Sequence, residues 1–173
     1  MKKKIIIISG IIFLLTGTFV LAQKQLKIGH VNVVEIVTAL PESDSAQLLL
    51  EKDSKELELM LENMQVELNN LANDFEINQE AFSELIRKTK ESEILDMREK
   101  IYNFQQNANT QLQQRNYELL QPIYEKVQSA INEVATREGF TYILDISKGS
   151  VAYTANDSQN ISEIVLKELG VDQ

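Results

Sequence analysis

The sequence contains no cysteine, and its only histidine is His30. Without cysteine the chain has no disulfide framework and no thiol chemistry, so its stability must come from packing or from assembly. A single histidine without a pattern of metal-binding neighbours predicts a packing role in a strand rather than a zinc site. The sequence shows no catalytic triad, metal cluster or phosphate-binding loop, so we expect neither enzymatic activity nor a cofactor.

Glycine and proline are absent from the long stretch between Pro41 and Pro122. The stretch is rich in Leu, Glu, Gln, Asn and Lys, and it predicts helix because Gly and Pro are the main helix breakers. It is too long for one ordinary globular helix. It therefore predicts either one long rod or a helical hairpin.

Positive charge is scarce, since 17 Lys and Arg accompany 26 Asp and Glu. Three lysines precede an apolar run that closes on Val20-Leu21-Ala22, which is the pattern of an export signal cleaved after Ala22. The run is also near the lower length limit of a membrane-spanning helix, so an uncleaved anchor is the alternative. Cleavage leaves 14 basic and 26 acidic side chains, a net charge of −12, which argues against a nucleic-acid partner.

Apolar residues recur at intervals of three and four along the breaker-free stretch, as they do on one face of an α-helix. One stripe lies in an outgoing helix from Ser43 to about Ile77, and a second lies in a return helix from Ser83, its N-cap, to about Glu138. Two stripes predict an antiparallel coiled-coil hairpin with its tip near residues 77–83. The seam residues are Leu57, Leu61, Met64, Leu68, Leu71 and Phe75 on the first helix and Ile94, Met97, Ile101 and Phe104 on the second.

Pro122 lies inside the return helix and predicts a bend between Leu119 and Ile123, because proline removes one helical hydrogen bond. Beyond the bend we expect the helix to leave the arm, to pack on a globular body and to end at Gly139. The residues expected to pack on the body are Ile123, Val127, Ala130, Ile131 and Val134.

The body is expected to combine residues 23–42 with residues 139–173, and the arm to occupy residues 43–138. LKIGHVNVVEIV is a strand candidate through Ile28, Val31 and Val33 or Val34, and FTYILDIS and SVAYT predict a hairpin joined through Lys148-Gly149. A sheet this small, with open edges, predicts an oligomer. The fold class is α+β, a long helical hairpin attached to a small β-body.

Two polar residues of the body have predicted structural roles. Asp145 is expected to accept hydrogen bonds from the backbone near a strand end. Asn160 is expected to cap a closing helix in NISEIVLKELG, with Glu163 at the third helical position. The apolar face of that helix would consist of Ile161, Ile164, Val165 and Leu169.

The order of these elements resembles the Skp/OmpH family of periplasmic chaperones. The resemblance rests on KIGHVNVVEI, LLQPIYEKVQSAINEVA, FTYILDIS, SVAYT and NISEIVLKELG, and it is most specific from Leu119 to Gly170. It implies a jellyfish-shaped homotrimer in the periplasm, with a β-body shared by three subunits and three helical arms around a cavity. In that family the cavity holds unfolded outer-membrane β-barrel proteins and prevents their aggregation before membrane insertion.

The arm differs in charge from the best-known members of that family, whose arms are basic. Acidic residues outnumber basic ones about two to one between Glu42 and Glu138, and a basic cluster is left at Arg87, Lys88 and Lys90. We therefore assign no lipopolysaccharide site, and we expect clients to be held mainly through apolar contacts. Membrane association is possible from the sequence but is not predicted. The candidate client-contact residues lie off the seam: Leu59, Val66, Ile77, Phe82 and Leu85.

The sequence is also compatible with a second function. A periplasmic structural or adaptor protein would use the hairpin as a spacer or docking rod for one envelope partner. Such a rod would favour a strict seam and a defined tip motif. The interrupted seam and the tip sequence QEAFSEL favour the chaperone.

Overall fold

The structure, a computed structural model, describes residues 26–155 and 159–171. The predicted export signal, residues 1–22, lies outside the described residues. No helix in the described part of the chain is long and apolar enough to cross a membrane. The elements are β1 (Ile28–Val31), α1 (Val33–Thr38), α2 (Pro41–Asn78), α3 (Glu84–Glu138), β2 (Tyr142–Asp145), β3 (Gln159–Asn160) and α4 (Ser162–Glu168).

Helices α2 and α3 form the predicted hairpin, which we call the arm. Helix α2 begins at Pro41, where a proline is tolerated because the first helical N–H groups have no partner within the helix. Its 38 residues span about 57 Å. Helix α3 begins after Ser83, whose Oγ accepts a hydrogen bond from the amide of Ile86 at 3.4 Å, so the predicted N-cap is confirmed.

Helix α3 runs without interruption through Pro122 to Glu138. The bend expected near this proline stays a prediction. Gly139 then ends the helix in the left-handed conformation, with φ of 71°, as the sequence predicts. All five residues expected to pack on the body are buried in its core: Ile123, Val127, Ala130, Ile131 and Val134.

The three strands form a parallel sheet in the order β2-β1-β3. Parallel neighbours need long crossover connections, and here the whole arm connects β1 to β2. At the centre of the sheet Gly29 leaves room for the ring of Phe140, because a Cβ at this position would lie 2.8 Å from Cε1 of that ring. The start of the chain and the end of the arm therefore meet in one small sheet.

The predicted extent of the first strand is wrong. The strand ends at Val31, and the side chain of Asn32 accepts a hydrogen bond from the amide of Glu35 at 3.2 Å. Asn32 is therefore the N-cap of α1, and Val33 and Val34 are helical. The β-branched composition of this run favours a strand, but one asparagine cap turns the chain into a helix.

The predicted hairpin of FTYILDIS and SVAYT is also wrong. Strand β2 pairs with β1 instead, and residues 151–155 form no strand in the described structure. The turn is closed locally, because Asp145 accepts from the amide of Ser147 at 2.9 Å and Ser150 Oγ donates to the carbonyl of Asp145 at 3.0 Å. These side-chain bonds engage the end of β2, so the chain does not return along it.

The closing helix is shorter than predicted. The side chain of Asn160 does bond to the start of this segment, accepting from the amide of Ser162 at 2.9 Å, but the helix begins only at Ser162. The buried face also differs from the prediction. Leu166 is buried, whereas Ile164 is 40% exposed.

The core lies where α1, α4 and the second half of α3 meet beneath β1. Its buried residues are Val31, Ile36, Val37, Leu40, Ala46, Ile123, Val127, Ala130, Ile131, Val134, Ile161, Val165 and Leu166. Polar contacts tie the same elements together, since the amide of Asn32 donates to Ser162 Oγ at 3.1 Å. Asp145 Oδ1 also accepts from the amide of Val33 at 3.4 Å, which agrees with its predicted role. His30 lies buried in β1.

Candidate functional site: the helical arm

The seam residues lie between the two helices of the arm without being sealed from solvent. Met97 is buried and the other nine are half-buried. In a hairpin of two helices, only one face of each helix is covered by the other. The apolar stripe between them therefore remains partly accessible to solvent along its edges. The seam residues are Leu57, Leu61, Met64, Leu68, Leu71, Phe75, Ile94, Met97, Ile101 and Phe104.

Four of the five candidate client-contact residues are exposed on the arm. They are Leu59, Val66, Ile77 and Leu85, and the last two are 70% and 77% exposed. Phe82 differs from them, because it is half-buried and its ring centroid lies 6.5 Å from that of Phe75. Four positions therefore offer free apolar surface, whereas the Phe82 ring packs within the tip.

Several exposed large side chains of the arm were not among the predicted contacts. Leu48 and Met60 on α2 are exposed, as are Leu95, Tyr102 and Tyr117 on α3. The sequence could have identified these residues as exposed, because their positions in the helical repeat place them away from the seam. Apolar and aromatic surface thus extends over both helices rather than over the tip alone.

Two ion pairs join the helices of the arm in the observed register. Arg115 Nε lies 3.0 Å from Asp53 Oδ2, and Lys126 Nζ lies 2.5 Å from Glu42 Oε1. The hydrogen bond from Lys126 is the main cause that lowers the pKa of Glu42 below its ordinary value. Each pair joins partners on different helices, so a slip of one helix would separate them.

The basic cluster near the tip is engaged locally. Lys88 lies 3.2 Å from Glu84, and Lys90 lies 2.9 Å from Glu93. Arg87 donates to the carbonyl of Gln79 at 3.1 Å. The hydrogen bond to Glu93 raises the pKa of Lys90. Of these contacts, the one from Arg87 connects the tip loop to α3.

Two grooves open on the arm at the body end of the seam, and they share one apolar floor. The floor consists of Leu57 on α2 with Phe104 and Leu112 on α3. The first groove, which also contains Arg115, has a volume of about 660 Å³, and the second, which also contains Ala108, has a volume of about 380 Å³. The small side chain of Ala108 leaves part of the second groove unfilled.

A long antiparallel helical hairpin rooted in a small parallel sheet defines the class of protein, a coiled-coil arm on an α+β body. Residues 27–169 match the family described as outer membrane protein (OmpH-like), and the chain belongs to this family. It is 28% identical over 143 residues to "Chaperone protein Skp" of Pectobacterium atrosepticum, covering 83% of this chain and 85% of the relative. It is also 28% identical over 148 residues to the protein of that name from Photorhabdus laumondii, covering 86% and 88%. The corresponding identity for Yersinia enterocolitica is 29% over 148 residues, covering 83% and 85%.

Proposed function

We propose that this protein is a periplasmic chaperone that binds unfolded outer-membrane β-barrel proteins and prevents their aggregation before membrane insertion. Membership of the OmpH-like family and the similarity to proteins named chaperone protein Skp support a chaperone role. The observation that carries the proposal is the arm, where exposed apolar side chains flank a half-buried seam along two long helices.

Such an arm suits an unfolded barrel protein as a client. The strands of a membrane barrel alternate apolar and polar residues, so the unfolded chain presents many short apolar sites rather than one long one. A surface with scattered apolar positions binds each site weakly. Several weak contacts made at once give a useful total affinity, because each later contact is intramolecular.

The cavity for the client would lie between the arms of a homotrimer. A single chain leaves the sheet incomplete, because within the described residues no strand pairs with the outer edge of β2. Exposed apolar residues lie on and beside this sheet: Leu26, Ile28, Tyr142 and Leu144. Pairing between copies would cover both features and place three arms around one space.

Light scattering by a diluted barrel protein tests the chaperone function. A urea-unfolded outer-membrane barrel protein is diluted into buffer with increasing amounts of the purified protein, whose oligomeric mass is measured in parallel. We expect suppression of scattering that saturates near one trimer per client. Unchanged scattering with several unrelated clients would favour the adaptor function, and full protection by a monomer would refute the trimer cavity.

A matched pair of variants tests the contact residues. The first replaces Leu59, Val66 and Leu85 with Ser, and the control replaces three exposed asparagines of α2 with Ser. We expect the first to require several-fold more protein for the same suppression, because it removes three apolar contacts of one multivalent surface. Equal activity of the two variants would refute the role of these positions. The control positions are Asn63, Asn70 and Asn73.

A further inference from the structure

The two grooves at the body end of the seam combine an apolar floor with a polar rim whose composition differs between the two helices. On α2 the rim is acidic, with Asp53 and Glu56 beside the first groove and Glu58 beside the second. On α3 the rim is built mainly from amide side chains. Gln111 and Gln114 line the first groove, and Gln105, Gln106 and Asn109 line the second.

The amide side chains of this rim belong to an uncharged part of an otherwise highly charged helix. No Asp, Glu, Lys or Arg occurs from Ile101 to Gln114. Side-chain amides both donate and accept hydrogen bonds, so they match the N–H and C=O groups of an extended peptide backbone whatever its sequence. The apolar floor can take the side chains that such a backbone carries.

The charge of the rim selects among such peptides. Asp53, Glu56 and Glu118 line the first groove, and Arg115 is the basic residue beside them. The net negative charge repels acidic segments and favours basic ones, because electrostatic complementarity controls which partners approach. Groove volumes of about 380 and 660 Å³ fall in the range of small-ligand sites, roughly 300–1,000 Å³.

We propose that these grooves bind extended segments of unfolded polypeptide in which apolar side chains alternate with uncharged or basic ones. The inference rests on the proposed chaperone function and names the client segments that this part of the arm prefers. Acidic segments would have to bind elsewhere on the arm. The preference comes from the acidic side chains of the rim, which outnumber Arg115 at the first groove, and from the amide side chains on α3.

The absence of cysteine gives a direct test. A single cysteine introduced by Gln111→Cys carries an environment-sensitive fluorophore at the first groove, and Gln113→Cys carries it on the same helix, outside the residues that line either groove. The titrants are a ten-residue peptide that alternates leucine with lysine and glutamine, and its counterpart with glutamate in place of lysine. We expect a saturable response at position 111 and little at position 113, with the glutamate peptide at least about tenfold weaker.

Three outcomes of this experiment would overturn the inference. The first is an equal response at both positions, and the second is equal affinity for the two peptides. The third is a change in the fluorescence at position 111 when the protein is diluted without peptide. Such a change would mean that a second copy of the chain covers the groove, and it would overturn the inference. Undiminished suppression of barrel-protein aggregation in any of these cases would leave the proposed function standing.

A second pair of variants checks the role of charge without a label. Gln111→Lys makes the rim of the first groove less acidic, and Gln113→Lys adds the same charge on the same helix away from it. We expect affinity for the basic peptide to fall about threefold in the first variant and to change little in the second. An equal loss in both variants would attribute the effect to net charge and refute a local rim.

Discussion

The body and the arm bury their apolar side chains to very different extents. Thirteen residues form the buried cluster of the body, drawn from β1, four helices and the segments between them. The seam of the arm stays half-buried except at Met97. Three layers of elements can enclose a core, but two helices cannot. The comparison indicates that the body fixes where the arm starts, while the arm keeps apolar surface available.

Polar contacts follow the same division. In the body, the amides of Asn32 and Val33 are bonded to side chains more than a hundred residues away in sequence, Ser162 and Asp145. In the arm, the cross-helix contacts include ion pairs between partly exposed side chains. Surface ion pairs contribute little to stability, so the arm is held more loosely than the body.

Truncation in the body core should have the largest effect. Ile36 in α1 is 0% exposed, and Ile36→Ala should lower the free energy of unfolding by about 3 kcal/mol because it leaves a cavity. The measurement is urea unfolding at fixed protein concentration, since assembly couples stability to concentration. The exposed neighbour Val34 provides the control, and Val34→Ala should change stability by less than about 0.5 kcal/mol.

The corresponding truncation in the arm should cost less. Leu61 is half-buried in the seam, and Leu61→Ala should lower the free energy of unfolding by about 1.5 kcal/mol, since less apolar area is lost. The same urea experiment measures it. A loss equal to that of Ile36→Ala would show that the arm is packed as tightly as the body, and the distinction between them would fail.

The arm could be predicted in detail from sequence because its signals are local. The missing breakers, the spacing of the seam and the cap at Ser83 each act within a few residues. The sheet could not be predicted from sequence, because its strands pair with partners that are distant in sequence. Strand β3 is two residues long and pairs with β1, from which it is separated by 130 positions. Its sequence, Gln-Asn, carries no signal that predicts a strand.

Two of the errors in the body, at the first strand and at the expected hairpin, have local physical causes. Asn32 can cap a helix or lie in a turn, and the β-branched residues around it favour a strand. The prediction followed the β-branched composition and therefore extended the strand over residues that are helical. Ser147 and Ser150 bond to Asp145 and close the turn that was expected to open a hairpin. The grooves of the arm were missed as well, since their floor combines Leu57 on one helix with Phe104 and Leu112 on the other.

The hydrogen bonds to Asp145 should make the body sensitive to acid. Burial alone would raise the pKa of Asp145, but hydrogen bonds from Ser147 and Val33 hold it below its ordinary value of 3.8. A lowered folded pKa adds stability above the unfolded value, and this is lost as the pH falls through the folded pKa. Asp145→Asn should therefore cost about 1 kcal/mol near neutral pH and less below the ordinary pKa.

Urea unfolding of both proteins at about pH 7 and about pH 3 measures this difference. Asp96→Asn, an exposed aspartate on the arm part of α3, is the control and should show no such loss near neutral pH. A difference between wild type and Asp145→Asn that grows as the pH falls would contradict the assignment of these hydrogen bonds to the ionised carboxylate.

The ion pair of the arm should give the smallest effect. Arg115 lies 3.0 Å from Asp53, and both side chains are partly exposed. A double-mutant cycle with Arg115→Gln and Asp53→Asn should give a coupling energy of about 0.5 kcal/mol that decreases in high salt. Arg98→Gln, at an exposed arginine of the same helix, is the control for lost charge. A coupling energy above about 1.5 kcal/mol would mean that the pair locks the two helices. The arm would then be a rigid rod, which favours a docking spacer over a surface that adapts to unfolded chains.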